Sequence, residues 1–153
     1  MELFLVQHGE AESKAEDPSR PLTGRGAEAV EQMAVFAART GVEVDEVRHS
    51  GKLRAKQTAE ILGGPLEPAN GVNAVLGLDP NDDAHAMAEA LQREGGRLML
   101  VGHLPFLSRL AGVLVAGDAD APAVRFRNAG IVHLVREGGR WSVDWAVTPD
   151  FVR

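Results

Sequence analysis

Four consecutive apolar residues, Leu3-Phe4-Leu5-Val6, run straight into Gln7-His8-Gly9 near the start of the chain. An apolar run of this length without polar alternation suits a strand buried on both faces, which requires a sheet covered by helices on each side. The end of the run carries the second constraint. In such sheets ligands gather beyond the carboxyl ends of the strands, so the imidazole of His8 stands where chemistry is done. Gly9 allows a sharp turn and a close approach of the backbone to a bound group.

The remaining pattern alternates between helix and strand. Residues 9–22 are polar and acidic, broken by Asp17-Pro18 and Arg20-Pro21, and read as a loop. Thr23 is placed to cap a helix over 24–39, with Ala27, Val30, Ala34 and Ala37 on one face and Gly41 as its stop. A short strand over Asp45–His49 precedes a helix over Lys52–Leu62, with Leu53, Gln57 and Ile61 in one row and Gly63-Gly64 ending it. Residues 63–81 read as a surface loop with an extended piece at 72–76. Asp82–Glu94 reads as a helix with Ala86, Met87 and Leu91 facing inward, ended by Gly95-Gly96. The strand Arg97–Val101 is followed by Gly102-His103, and Pro105 opens a helix reaching Ala116. After a turn at 117–122, strands are expected at Val124–Arg127, Ile131–Glu137 and Trp141–Val147. Gly138-Gly139 joins the last two, and Trp141, Val143 and Trp145 face the core together. This order predicts an α/β fold: a three-layer α/β/α sandwich whose mostly parallel central sheet gains an antiparallel C-terminal edge, as one domain over residues 1–153.

Composition narrows the chemistry. With 153 residues, 44% hydrophobic and 25% charged, the chain is of ordinary globular type. It has no cysteine, which removes thiolate nucleophiles, disulfides and cysteine metal sites. A net charge of −6 argues against a nucleic-acid partner and means that any phosphate site must gather its cations locally. No apolar run reaches the length of a membrane span, and the Met-Glu start lacks the basic segment of a secretory leader, so a cytoplasmic protein is expected. No carboxylate or histidine cluster has metal-ligand spacing, so neither a metal nor another cofactor is expected.

His8 and His103 each follow a strand and would converge on one sheet edge. A phosphoryl group needs a nucleophile on one side and positive donors around its oxygens, and neutral imidazole is a competent nucleophile. Arg54, at the start of a helix and one turn after Ser50, offers a guanidinium fork beside helix N-terminal amides. His49 adjoins Ser50, and Glu10 is near enough to His8 in sequence to be a proton-donor candidate. Nothing recommends His85 or His133.

Four segments, in this order, resemble the histidine phosphatase superfamily: Leu5-Val6-Gln7-His8-Gly9, Arg20-Pro21-Leu22-Thr23, Ser50-Gly51-Lys52-Leu53-Arg54-Ala55-Lys56-Gln57-Thr58, and Val101-Gly102-His103-Leu104-Pro105. Within it they are most similar to the small SixA-type phosphohistidine phosphatases, and the resemblance runs from residue 1 to about 115. It implies a metal-independent phosphatase that works in two steps. His8 would take the phosphoryl group, Arg54 and His103 would hold it, and Gln7, Gly9, Arg20 and Ser50 would line the substrate site. Water would then release phosphate. The 34 residues from 63 to 96, one helix among them, leave little to cover the site. A phosphohistidine on the surface of a signalling protein, such as a histidine phosphotransfer domain, could enter, as could a small phosphorylated molecule; a mutase is disfavoured.

Gln7 departs from the family pattern, which has arginine there. Losing one charged fork from such a site costs on the order of 2–4 kcal/mol of transition-state stabilisation. Three readings follow: a phosphohistidine phosphatase, a small-molecule phosphomonoesterase, or a phosphate- or phosphoprotein-binding module with impaired catalysis.

Overall fold

A computed structural model of the chain describes residues 1–152. Its elements are β1 (Glu2–Gln7), α1 (Gly24–Arg39), β2 (Glu46–His49), α2 (Leu53–Leu66), β3 (Val72–Ala74), α3 (Ala84–Leu91), β4 (Arg97–Gly102), α4 (Phe106–Ala116), β5 (Ile131–Glu137) and β6 (Arg140–Val147), then a 3₁₀ turn at Pro149–Phe151. The six strands form one sheet in the order β3-β2-β4-β1-β5-β6. β1 to β4 run parallel, while β5 and β6 add the expected antiparallel side.

β1 shows why helices cover both faces. Leu3 and Leu5 point into a core shared with Ala88 and Leu91 of α3 and Phe106, Leu107 and Leu110 of α4. Phe4 and Val6 point the other way, among Val30, Met33 and Ala37 of α1 and Ala55, Ala59 and Leu62 of α2. All four β1 side chains are buried, which makes the three-layer sandwich a direct consequence of the unbroken apolar run.

Several local expectations are corrected. α2 does not stop at Gly63-Gly64 but runs on through Pro65. A Cβ on Gly63 would lie 2.5 Å from Val72 Cγ2, so this glycine is where β3 lies against the helix. The helix ends at Glu67, whose left-handed φ of 45° brings its N–H to Gly63 O. The buried face of α2 is Ala55, Thr58, Ala59, Leu62 and Gly63, while Leu53, Gln57 and Ile61 are only half-buried. In α1 Gly26 is buried and Ala27 half-buried. α3 is shorter than expected: Asp83 caps it through its carboxylate, Ala84, Ala88 and Leu91 face inward, and Ala86 is exposed. Val124–Arg127 is no strand; β5 and β6 already occupy that side of the sheet, and Phe126 is buried in the α3–α4 core instead.

Trp141, Val143 and Trp145 do not share a face. Leu134 pairs with Val143 but His133 with Trp145, leaving Asp144 as an extra residue in β6. Such a bulge reverses the alternation. Trp141 therefore packs into the α3–α4 core, Trp145 against the α1–α2 core, and Val143 is exposed. Among the described residues, no helix is long and apolar enough to cross a membrane.

Candidate active site

β1 and β4 lie side by side and parallel, with Gln7 opposite Gly102. The residues that follow therefore leave the sheet together. The rings of His8 and His103 lie 5.1 Å apart between centroids, tilted by 53°.

His8 is held along its backbone and through its ring. Its N–H donates to Gly102 O at 3.1 Å. Its carbonyl accepts from Asn128 Nδ2 at 2.9 Å. Nδ1 lies 2.7 Å from Gly9 O. A carbonyl only accepts, so Nδ1 carries the hydrogen and Nε2 keeps its lone pair. Burial lowers the His8 pKa to about 4, with the charges of Arg54 and Arg20 adding to it and the Gly9 hydrogen bond opposing. The imidazole is neutral at neutral pH.

The same holds for His103, which is fully buried. Its pKa is lowered to about 3, first by burial, then by the neighbouring charges of His8, Arg54, Lys52 and Arg20. Its Nε2 lies 2.7 Å from Ser50 Oγ, which also accepts the Lys52 N–H at 3.3 Å. The side chain thus does not cap α4; only the His103 carbonyl serves that helix, accepting from Leu107 N.

Arg54 enters from the first turn of α2. Burial and the charge of Arg20 lower its pKa, while Asp79 raises it. Among the described residues five buried side-chain polar atoms lack a partner, and three belong to this one place: Gln7 Oε1, Arg54 Nε and His103 Nδ1. An unpaired buried polar atom costs about 1–3 kcal/mol, so their concentration here marks a surface built to receive a polar group. The Gln7 amide presents either oxygen or NH₂ at that position, depending on its flip.

Arg20 has a left-handed backbone, φ 49°, and its Nε donates to Glu12 O at 2.9 Å. Strain of this kind is held only where the surroundings over-determine it. Arg20 and Arg54 share a cleft of about 660 Å³ with Lys14 and Lys52, and with the carboxylates of Asp79 and Asp82.

Gly9 has a role other than backbone freedom. Its N–H donates to Thr58 Oγ1 at 3.0 Å, and a Cβ there would lie 2.8 Å from Val30 Cγ2. The residue lets the turn after β1 lie tightly against α1, and its N–H is already bonded within the protein.

The other candidates are placed elsewhere. Glu10 pairs with Arg25 at 2.9 Å and accepts from Thr23 Oγ1, and both bonds lower its pKa. It anchors the start of α1 and is a poor acid. His49 is buried, its Nδ1 accepting the Gly51 N–H. His85 is exposed on α3. His133 stacks on Phe4 and bonds Glu2 and Asp144.

Three supporting residues were not assigned from sequence. Thr58 bonds Gly9 and donates to Arg54 O at 2.8 Å, tying the His8 turn to the helix that carries Arg54. Gln57 Oε1 accepts the Leu22 N–H at 2.7 Å. Asn128 reaches His8 from the loop before β5, where Asn-Ala-Gly is a turn signal.

No family model matches the chain. The phosphohistidine phosphatase SixA of Escherichia coli strain K12 is 30% identical over 155 residues, covering 97% of this chain and 94% of its own. The solved structure of the protein histidine phosphatase SixA complexed with tungstate matches with a TM-score of 0.86 at 28% identity, covering 98% of each chain. A phosphoserine phosphatase of Entamoeba histolytica, in complex with 3-phosphoglyceric acid, shares the fold with a TM-score of 0.74 at 16% identity over 95% of each chain.

Proposed function

The chain belongs to the SixA family of the histidine phosphatase superfamily, and we propose that it removes phosphate from phosphohistidine without a metal, through a phosphoryl intermediate on His8. One observation carries this reading: His8 Nδ1 is committed to Gly9 O, its Nε2 keeps a lone pair, and a second neutral imidazole lies beside it.

The lone pair on Nε2 forms a bond to phosphorus as the bond from phosphorus to the substrate nitrogen breaks. That nitrogen takes its proton from solvent, which suits a site whose nearby carboxylate, Glu10, is engaged with Arg25. Arg54 and His103 hold the phosphoryl oxygens, with Gln7 and Arg20 at their margin. Ser50 sets the orientation of His103, and Gly9 that of His8. Water then attacks phosphorus, the bond to His8 breaks, and phosphate leaves. The positive charge that stabilises both steps comes from the protein's own guanidinium groups. Membership of the SixA family, together with the open cleft beside Arg54, supports a phosphorylated protein as substrate.

Gln7 favours a second reading, a module that binds phosphate or phosphoprotein without turnover. The test for both is phosphate release from a histidine-phosphorylated protein, wild type beside His8→Ala. Release that disappears in the variant supports the phosphatase. No release from either protein, with tungstate still bound, leaves the binding module.

A further inference from the structure

The cleft beside Arg54 sets four cations against two carboxylates, those of Asp79 and Asp82. Lys14, Arg20, Lys52 and Arg54 line it together, in a chain of net charge −6. None of the four lies within ion-pair distance of a carboxylate among the described residues, whereas Arg25, Arg48, Arg93 and Arg97 are all paired. Lys14 is the telling case. It sits in an acidic loop, yet two of the carboxylates there have other partners. Asp17 accepts from Ser19 and Glu10 from Arg25. Lys52 precedes α2 without capping it, and its side chain is exposed.

We propose that Lys14 and Lys52 form a second anion subsite beside the catalytic pair, which selects an acidic polypeptide segment as the carrier of the phosphohistidine. The inference rests on the phosphatase reading above and specifies its substrate. Arg54 and Arg20 both act on His8, and they serve the phosphoryl group. The charge of Lys52 also reaches His103, and with Lys14 it extends the positive lining of the cleft toward the carrier. The size and openness of the cleft suit a chain segment. Two exposed leucines follow the carboxyl ends of the parallel strands, Leu76 beyond β3 and Leu104 directly after His103. Charge complementarity of this kind acts mainly on encounter and partner choice.

The test compares two phosphohistidine peptides, one flanked by aspartates and one by lysines, with phosphoramidate as the small substrate. In the wild type at low salt, kcat/KM for the aspartate peptide should exceed that for the lysine peptide by about tenfold or more, mostly through KM. The ratio should collapse toward one in about 1 M salt. Lys14→Glu/Lys52→Glu should abolish or invert the preference, changing the ratio between the two peptides by more than it changes phosphoramidate turnover. A wild type indifferent to the flanks, or a double variant that keeps the preference, overturns the proposal. So does an equal loss on all three substrates. The affinities of non-hydrolysable phosphonate analogues of both peptides for His8→Ala, with and without the lysine reversals, separate the two claims. If the wild type hydrolyses nothing, the phosphatase reading fails, and the subsite stands or falls on whether the lysine reversals remove the preference for the aspartate analogue.

Discussion

Thr58 gives the sharpest test of how His8, the proposed nucleophile, is held. Its side chain is fully buried, and its hydroxyl is the acceptor for the buried Gly9 N–H. Thr58→Val preserves shape and volume but leaves that N–H without a partner, a penalty of about 1–3 kcal/mol. For a chain of this size each kcal/mol lowers Tm by about 2–4 °C, so a fall of roughly 2–12 °C is expected. Thr58→Ser keeps the oxygen and removes a methyl group, at a cost of about 1 kcal/mol. The two variants diverge in catalysis. Gly9 is the residue whose carbonyl fixes the His8 tautomer, and a displacement of about 1 Å in such a site can cost a hundredfold in rate. Thr58→Val should therefore lose at least about tenfold in kcat, while Thr58→Ser stays within about threefold. Thermal melting and steady-state phosphate release on both proteins decide the matter. A valine variant with wild-type Tm and kcat would refute the reasoning, as would a serine variant equally impaired.

The depressed histidines set a pH dependence. His8 and His103 bind protons more weakly folded, at pKa values of about 4 and about 3, than at the ordinary value of 6.5. The unfolded chain therefore binds more protons between these values, and stability falls as pH drops from about 6.5 toward 4. Urea titrations across that range should show this slope flattened in His8→Ala/His103→Ala. The acid limb of kcat/KM should fall near pH 4 rather than near 6.5; a limb at 6.5 would contradict the buried, neutral His8. Gln7→Arg should raise kcat by about tenfold or more, and more for phosphomonoesters than for phosphoramidates, because esters place greater demand on charge stabilisation; stopped-assay kinetics on both substrates checks it. Gly26→Ala would set a Cβ 2.1 Å from Glu10 O and should cost about 1–3 kcal/mol, whereas Gly64→Ala meets nothing within 4 Å in a helix and should gain up to about 1 kcal/mol in denaturant titration.

What could be read from the chain depended on how local the cause was. The Leu3–Val6 run dictated a doubly covered strand because burial of every residue leaves no other arrangement. Thr23 was legible as a cap because its hydroxyl acts three residues away, on Gly26 N. The failures have non-local causes. Gly63-Gly64 reads as a stop, yet Gly63 is small because Val72 packs on it. Val124–Arg127 has strand composition but no free strand beside it to pair with. The β6 bulge moves Trp145 to the opposite face from Trp141, which no alternation within one strand announces. In the site, His8, Arg54 and His103 were legible because each follows or opens a regular element. Thr58 and Asn128 were not, because their partners lie 49 and 120 positions away.

Those separations bear on when the protein becomes chemically competent. The proposed nucleophile, His8, directly follows β1, but its carbonyl is gripped by Asn128, 120 positions further along the chain. Contacts of such wide sequence separation form late, since the loop they close must first be ordered. A nascent or partly unfolded chain carries His8 without the geometry that makes it reactive. Competence should therefore arrive with the final cooperative step of folding, so that recovery of activity and recovery of native structure follow one time course.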